Sequence, residues 1–179
     1  MKKLFDNVFY NKTVLVTGNT GFKGSWLSTW LNLLGARVVG LSLDIPTKPS
    51  FFVAAKNSNF VQQEYADIRN IDEIARIVKN IQPDFVFHLA AQALVRSSYD
   101  NPLETIKTNA NGSANMMESL RALDKKVVAV MITSDKAYDN LEWAWGYKET
   151  DRLGGKDPYS ASKGMAELAI RSYIESFFN

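Results

Sequence analysis

Hydrophobic and polar residues alternate along the chain in two kinds of block. Short blocks rich in β-branched and aromatic side chains predict buried strands. Longer blocks repeat apolar residues every three or four positions, as helices do when they pack one face on a sheet. The predicted strands cover residues 13–17, 37–43, 60–65, 84–89 and 126–132. The predicted helices cover 22–34, 71–81, 102–123 and 158–178, and a polar, aromatic loop covers 133–157.

The regular alternation of strands and helices predicts the fold class. It is typical of an α/β protein with a doubly wound, Rossmann-type parallel sheet and right-handed crossovers. Such sheets have about six strands in the order 3-2-1-4-5-6, and only the first five are visible in this sequence. The last predicted helix ought to lead into another strand. We therefore expect residues 1–179 to be an incomplete dinucleotide-binding domain, with the C-terminal substrate-binding domain absent from the chain.

A glycine-rich turn separates the first predicted strand from the first helix. Gly18, Gly21 and Gly24 have the spacing GxxGxxG. Glycine permits a tight turn and a close approach of the main chain to a pyrophosphate, and the helix that follows offers free amides and a positive dipole end. We interpret the turn as a phosphate cradle, the alternative being a turn without a ligand. Its predicted cofactor contacts are Gly18, Asn19, Thr20, Gly21, Phe22, Lys23 and Gly24.

Acidic residues after the second and third strands are candidates for binding adenosine. Asp44 could bind the ribose, although it lies slightly late and Ser42 occupies the expected place. No arginine stands beside Asp44 to bind a 2′-phosphate, which favours NAD over NADP. Asp67 and Ile68 could hold the adenine through a carboxylate and an apolar floor. In each case the alternative is an ordinary turn.

The segment 159–163, with the sequence YSASK, lies at the start of the last predicted helix. Tyr159 and Lys163 are four residues apart and therefore share a helix face. A phenol is a poor base at neutral pH, and a nearby ammonium favours its phenolate. Lys163 could thus activate Tyr159 and also hold the nicotinamide ribose. Alone, the spacing YxxxK is usually a surface feature, but after the fifth strand of a dinucleotide-binding sheet we interpret it as catalytic.

Polar residues also follow the fourth and fifth strands, at the sheet edge where open α/β sheets bind ligands. Ser134 could hydrogen-bond the substrate hydroxyl that Tyr159 deprotonates, and Asp135 and Lys136 place a carboxylate and an amine beside it. His88 is the only histidine, and we interpret it as structural rather than catalytic. Further cofactor contacts are expected from Leu89, Ala90, Ala91, Gln92 and Thr133.

Composition excludes several function classes. The sequence has no cysteine, which excludes disulfides, thiolate metal sites and a cysteine nucleophile. No second histidine or acidic cluster supports a metal site. Charges of both signs are interleaved, so no basic tract indicates nucleic acid. No apolar run approaches the ~18 residues of a membrane span. Asp6 and Asn7 interrupt the N-terminal apolar residues, so we expect no signal peptide and a cytoplasmic location.

The glycine turn together with Tyr159 and Lys163 resembles the extended short-chain dehydrogenase/reductase superfamily. Within it, several longer segments are similar to the CDP-glucose 4,6-dehydratases. These segments are 17–27, 88–92, 134–138 and 157–163. The likeness extends over nearly the whole chain, from about residue 5 to residue 178. The Phe22-Lys23-Gly24 turn and the Ser134-Asp135-Lys136 triplet are its more specific parts.

The resemblance implies NAD-dependent dehydration of CDP-glucose to CDP-4-keto-6-deoxyglucose. Hydride passes from C4 to bound NAD while Tyr159 removes the hydroxyl proton, water is lost across C5 and C6, and the hydride returns to C6. Related dTDP-glucose dehydratases carry an Asp-Glu pair as acid and base. Here Asp135 keeps the acid position and Lys136 replaces the Glu, which agrees with the CDP-glucose group and leaves the C5 base open.

The resemblance also implies a supporting residue and a partner. Asn109 would support the active-site backbone and the catalytic lysine, and helices 102–123 and 158–178 would form a homodimer contact, unless their apolar stripes simply pack on the sheet. We expect the isolated chain to have little or no dehydratase activity. Two alternatives stay open, namely a nucleotide-sugar epimerase or reductase of the same superfamily, and a non-catalytic dinucleotide-binding module.

Overall fold

Five parallel strands form one sheet within residues 4–178, the part of the chain that the structure, a computed structural model, describes. Each strand lies within one of the five predicted strand segments. The strands are β1 (Thr13–Thr17), β2 (Arg37–Ser42), β3 (Gln62–Tyr65), β4 (Phe85–His88) and β5 (Val128–Met131). Their order across the sheet is β3-β2-β1-β4-β5 and every pairing is parallel. The predicted doubly wound α/β fold is therefore confirmed.

Helices cover both faces of this sheet. They are α1 (Phe22–Leu33), α2 (Phe51–Ala54), α3 (Ile71–Ile81), α4 (Val95–Asp100), α5 (Pro102–Ile106), α6 (Gly112–Arg121) and α7 (Pro158–Phe177). Successive residues of a strand point to opposite faces. Leu15 of β1 accordingly packs with Ile74 and Met116 of α3 and α6. Val14 and Val16 pack with Leu31 of α1 on the opposite face.

The predicted long helix over 102–123 is present from Pro102 to Arg121, but it is not a regular α-helix along its whole length. A π-helical turn, Lys107–Asn111, separates α5 from α6, and α6 ends at Arg121. A π turn accommodates an extra residue, and it often marks a functional site. The physical reason lies in Asn109, whose amide is bonded to the main chain of Gln92 at 2.8 and 3.0 Å. This distant partner holds Asn109 inward, and periodicity along the helix does not show it.

Several short segments differ from the prediction. Helices α2 and α4 and a 3-10 turn, Asn57–Asn59, lie where we predicted no helix. Strand β3 begins at Gln62 rather than at residue 60, because the Val61 amide closes the preceding turn by donating to the Asn57 carbonyl at 2.9 Å. These segments are too short for hydrophobic periodicity to detect them. Within residues 4–178 no helix is long and apolar enough to cross a membrane.

Candidate active site

The carboxyl ends of β1, β4 and β5 lie side by side at one edge of the sheet. The Leu89 amide donates to the Thr17 carbonyl at 3.2 Å. The Ile132 amide donates to the His88 carbonyl at 3.0 Å. The glycine turn, the segment after β4 and the segment after β5 are therefore neighbours in space, as expected for a ligand-binding edge.

Two glycines of the turn are required by geometry. Gly18 has φ +70°, and a Cβ added there would lie 2.9 Å from the amide nitrogen of Ala90. A Cβ at Gly24 would lie 2.2 Å from the Gly18 carbonyl oxygen, so any side chain would separate α1 from the turn. The glycines thus allow three backbone segments to pack closely together. This close packing fixes where the N-terminus of α1 points.

The N-terminus of α1 has no side-chain cap. Gly21 is its N-cap residue and makes no side-chain hydrogen bond. By contrast, Asn70 caps α3 and Asp157 caps α7. The first amides of a helix have no intrahelical partner and lie at the positive end of its dipole. Phe22 and Lys23 in this first turn are exposed, so their amides are available to an anion.

Asn19 and Thr20 were predicted to contact a cofactor, and the structure directs both side chains inward. Asn19 is fully buried and accepts a hydrogen bond from the Ser42 hydroxyl at 2.7 Å. Its amide also donates to Gln63 at 2.7 Å. The Thr20 hydroxyl donates to the Asp44 carbonyl at 2.5 Å. These bonds attach the glycine turn to β2 and β3. The amides of Gly18, Thr20 and Gly21 are also bonded within the chain. The turn therefore offers a ligand the amides at the start of α1.

The adenosine candidates follow the ends of β2 and β3, and the Asp44 carbonyl accepts the hydrogen bond from Thr20 of the glycine turn. Asp44 is exposed. Asp67 is half-buried, and its two carboxylate oxygens share the one hydrogen of Arg69 Nε, each at 2.9 Å. This hydrogen bond holds the pKa of Asp67 below its usual value. Ile68 is buried in the core, where it packs against Gly112.

Tyr159 and Lys163 lie on one face of α7, as their spacing predicted. Asp157 caps this helix by accepting from the Ser160 amide at 3.0 Å, which fixes the turn that carries Tyr159. Lys163 is only 6% exposed, and its Nζ lies 6.0 Å from the centre of the Tyr159 ring. Burial lowers the pKa of Lys163, and the nearby Glu167 carboxylate opposes this shift. The structure thus brings a buried amine and a phenol to the ligand-binding edge.

Asn109 joins the segment after β4 to α7. Besides its two bonds to the Gln92 main chain, its amide donates to the Ser162 hydroxyl at 2.8 Å. The Ser162 hydroxyl in turn donates to the Tyr159 carbonyl at 2.6 Å. Asn109 is therefore bonded to both sides of the candidate site, in agreement with a supporting role.

The triplet after β5 forms a short 3-10 turn, Asp135–Ala137, capped by Ser134. The Ser134 hydroxyl donates to the Asp135 carboxylate at 3.1 Å and accepts from the Lys136 amide at 3.2 Å. The side chains of Asp135 and Lys136 are exposed. The turn packs against α7, because a Cβ on Gly164 would lie only 3.4 Å from the Ala137 carbonyl oxygen. The acid and amine thus lie beside the helix that carries Tyr159.

Two polar residues of this region were not among the predicted site residues. Glu167, one turn after Lys163, accepts a hydrogen bond from the Thr133 hydroxyl at the end of β5. Thr17, the last residue of β1, is hydrogen-bonded to His88. The four-residue step from Lys163 could have indicated Glu167, whereas no sequence signal pairs Thr17 with His88. Within residues 4–178 no group of three His, Cys, Asp or Glu side chains could hold a metal ion.

Comparisons with known proteins agree with this arrangement. The chain is 47% identical over 173 residues to the CDP-glucose 4,6-dehydratase of Salmonella typhimurium strain LT2, which covers 97% of this chain and 48% of that protein. It is 28% identical over 183 residues to the CDP-paratose 2-epimerase of Salmonella typhi, covering 92% of this chain and 53% of that one. The chain thus spans about half the length of the curated relatives it matches.

A solved structure and a family model point to the same group of proteins. The UDP-glucose 4-epimerase of Thermus thermophilus, solved with NAD, superimposes with a TM-score of 0.78 at 29% identity, over 93% of this chain and 52% of that one. The model of the family described as GDP-mannose 4,6 dehydratase matches residues 15–178. The resemblance predicted from the motifs is confirmed. The chain belongs to the GDP-mannose 4,6-dehydratase family.

Proposed function

We propose that the protein carrying this chain is an NAD-dependent 4,6-dehydratase that converts CDP-glucose to CDP-4-keto-6-deoxyglucose. The proposal rests on one observation above all. An uncapped helix N-terminus, a buried lysine beside a tyrosine, and an exposed acid and amine converge on one edge of the sheet. The choice of CDP-glucose is supported by the 47% identity to a CDP-glucose 4,6-dehydratase.

The residues present fit a dinucleotide. The free amides at the start of α1 suit its pyrophosphate, because they lie at the positive end of an uncapped helix. The glycine turn, residues 18–24, would bind these phosphates through its amides from Phe22 onward. Leu89 to Gln92 and Thr133 would line the nicotinamide side. Lys163 would hold the nicotinamide ribose, and Asp44 the adenosine ribose. NAD supplies the hydride acceptor for the first step and the hydride donor for the last.

Tyr159 acts as the base at C4. Its phenolate oxygen takes the proton of the substrate hydroxyl, with the amine of Lys163 on the same face of α7. Burial lowers the pKa of Lys163, whereas Glu167 helps to keep the amine charged. Ser134 positions the same substrate hydroxyl. Because Asp157 fixes the first turn of α7 and Asn109 fixes Ser162, the tyrosine is held rigidly for this transfer.

Asp135 and Lys136 carry out the loss of water from C5 and C6. The Asp135 carboxyl protonates the departing C6 hydroxyl, and the Lys136 amine is the candidate base for the C5 proton. A lysine acts as a base only in its neutral form, which a closed, desolvated site would favour. Both side chains are exposed in this chain. The proposal therefore requires that bound substrate covers them.

We infer that the protein forms a homodimer through α5, α6 and α7. Leu103, Met165 and Leu168 are each 45–62% exposed on these helices, whereas Ala166 and Ile170 of α7 are buried. The buried stripe packs within the chain, and the exposed apolar side chains on the other face would pack against a second copy. Sedimentation velocity of the whole protein tests this inference. Leu168→Glu should yield monomers, and a dimer that survives this substitution would contradict it.

The decisive test incubates the whole polypeptide with NAD and CDP-glucose. The 4-keto-6-deoxy product is detected by its alkaline absorbance and by mass. Parallel reactions with GDP-mannose, dTDP-glucose and UDP-glucose measure the nucleotide preference. Turnover of CDP-glucose with kcat/KM at least tenfold above that of the other three supports the proposal. NAD binding without any dehydrated product would favour a nucleotide-sugar epimerase or reductase instead.

Asp135→Asn separates these reactions within one protein. In a dehydratase the variant keeps oxidation at C4 but cannot protonate the leaving hydroxyl, so NADH absorbance should build up while product fails to form. In an epimerase Asp135 has no elimination step to serve, and the variant should retain turnover. Lys136→Met tests the base in the same way. It should slow release of the C5 proton, measured as exchange with deuterated solvent.

A further inference from the structure

His88 is the only histidine of the sequence and is 1% exposed, yet none of the proton transfers proposed above uses it. It ends β4, between the glycine turn on one side and the π turn on the other. Both ring nitrogens face a hydroxyl group. Nδ1 lies 2.9 Å from the Thr17 hydroxyl oxygen, and Nε2 lies 3.4 Å from that of Ser113.

The Thr17 hydroxyl determines which nitrogen of His88 carries the proton. A hydroxyl has one hydrogen to donate and two lone pairs that accept. Both lone pairs of the Thr17 hydroxyl accept. The oxygen takes the Ala90 amide at 3.0 Å, and it shares the Leu89 amide, at 3.1 Å, with the Thr17 carbonyl at 3.2 Å. Its hydrogen must therefore be donated to His88. It follows that Nδ1 accepts and that the proton of the neutral ring is on Nε2.

The other ring nitrogen faces the π turn. The Ser113 hydroxyl donates its hydrogen to the Asn109 carbonyl at 2.7 Å, which leaves its lone pairs for the Nε2–H of His88. Asn109 in turn binds the Gln92 main chain and the Ser162 hydroxyl. One chain of hydrogen bonds thus runs from Thr17, next to Gly18, through His88 and the π turn to α7.

We propose that His88, as the Nε2–H tautomer, is a positioning residue that holds the glycine turn and the Tyr159 helix in fixed relation. Through Thr17 it orders the Leu89 and Ala90 amides beside Gly18. Through Ser113 it orders Asn109 and hence the start of α7. The consequences for catalysis rest on the proposed function, whereas the tautomer itself does not.

The surroundings keep His88 neutral. A proton added at Nδ1 would face a hydroxyl with no free lone pair. Burial first, and then the positive charge of Lys163, lower the pKa of His88 to about 4. The ring therefore stays in one hydrogen-bonding state across the neutral range. The chain of hydrogen bonds through His88 keeps its donors and acceptors only if the ring does not change its protonation state.

Nitrogen NMR tests the tautomer without any need for activity. In the ¹⁵N-labelled whole protein, the His88 ring signals are assigned by their loss from the His88→Gln variant. We expect a protonated Nε2 and an unprotonated Nδ1, unchanged from pH 8 to pH 5.5. An Nδ1–H tautomer, exchange between both tautomers, or titration near pH 6.5 would overturn the assignment, even if the protein proved to be an epimerase.

Two conservative variants separate the hydrogen bond between His88 and Thr17 from the hydrogen bond between His88 and Ser113. The amide oxygen of His88→Asn can replace Nδ1 and accept from Thr17, but it cannot reach Ser113. The amide nitrogen of His88→Gln can replace Nε2 and donate to Ser113, but it leaves the Thr17 hydroxyl without its acceptor. One hydrogen bond corresponds to about tenfold. We expect His88→Asn to lower kcat about tenfold with NAD affinity kept within about twofold, and His88→Gln to weaken NAD binding about tenfold.

A serine pair provides the matched control. Ser113 and Ser119 are both buried on α6, and each donates to the carbonyl four residues earlier, at 2.7 and 2.8 Å. Only Ser113 contacts His88. Ser113→Ala should lower kcat as His88→Asn does, whereas Ser119→Ala should leave it unchanged. Equal kcat values for Ser113→Ala and Ser119→Ala would overturn the positioning role. This comparison decides the question even if neither His88 variant folds. A parent protein without turnover would refute the dehydratase instead.

Discussion

The Lys163 amine lies 6.0 Å from the centre of the Tyr159 ring, one helical turn further along α7. Lys163 is buried at 6% exposure, and Tyr159 is buried beside it at 9%. The two side chains therefore form one unit. Neither the base nor its activator should work without the other.

The first prediction concerns this unit. Tyr159→Phe keeps the ring and removes the proton acceptor, so we expect kcat to fall by about 10²-fold or more. Lys163→Met removes the charge and should cause a similar loss. The kcat of the double variant should be about that of the slower single variant, because the effects of substituting residues that act as a unit do not add. Steady-state rates with CDP-glucose measure all three, and a fully additive double variant would contradict the shared role.

The second prediction concerns the close packing of the glycine turn. A Cβ at Gly24 would lie 2.2 Å from the Gly18 carbonyl oxygen, so Gly24→Ala must displace backbone atoms. We expect a loss of about 1–3 kcal/mol in the free energy of unfolding and no measurable NAD binding. Gly146→Ala is the matched control, since a Cβ there meets nothing within 4 Å. Urea unfolding and calorimetric titration with NAD check both variants. A Gly24→Ala protein that binds NAD normally would refute the cradle.

The third prediction concerns the residues that cap α7 and α3. Asp157 caps α7 next to the site, and Asn70 caps α3 away from it. Burial raises the pKa of Asp157, but its hydrogen bonds from Ser160 and Tyr159 outweigh this and lower it overall. Either cap replaced by Ala should cost about 1 kcal/mol of stability. Only Asp157→Ala should also lower kcat, since Tyr159 lies in the first turn of α7. Equal kcat losses in the two variants would show a general effect of destabilisation.

Much of the fold followed from local patterns. The blocks that predicted β1 and α3 are continuous and strongly periodic, and the structure reproduces both at the predicted bounds. The glycine spacing and the four-residue step from Tyr159 to Lys163 are also local. Each is decided by residues close together in the sequence, which is why sequence reasoning could find it.

Features that depend on distant partners could not be predicted in this way. Asn19 turns inward because Gly40 of β2 leaves room for its amide, as a Cβ there would lie 2.1 Å from the Asn19 nitrogen. Asn109 lies in a π turn, and its amide binds the main chain of Gln92. In each case the side chain faces a group whose position only the folded chain determines.

The last prediction concerns the pH dependence of stability. His88 has a pKa of about 4 in the folded protein against 6.5 in an unfolded chain, so the unfolded state binds more protons between these values. Stability from this residue is fully present above pH 6.5 and is lost as the pH falls from 6.5 to 4. A shift of this size corresponds to about 3 kcal/mol.

Urea unfolding at several pH values between 7.5 and 4 measures this loss, with His88→Asn as the reference because asparagine does not titrate. Carboxylates with lowered pKa, such as Asp84 and Glu118, also weaken the fold at low pH, but they do so equally in both proteins. The stability advantage of the parent over the variant should therefore shrink by about 3 kcal/mol as the pH falls through this window. A difference that stays constant with pH would show that His88 titrates alike in the folded and unfolded states, and that its burial leaves it free to take up a proton.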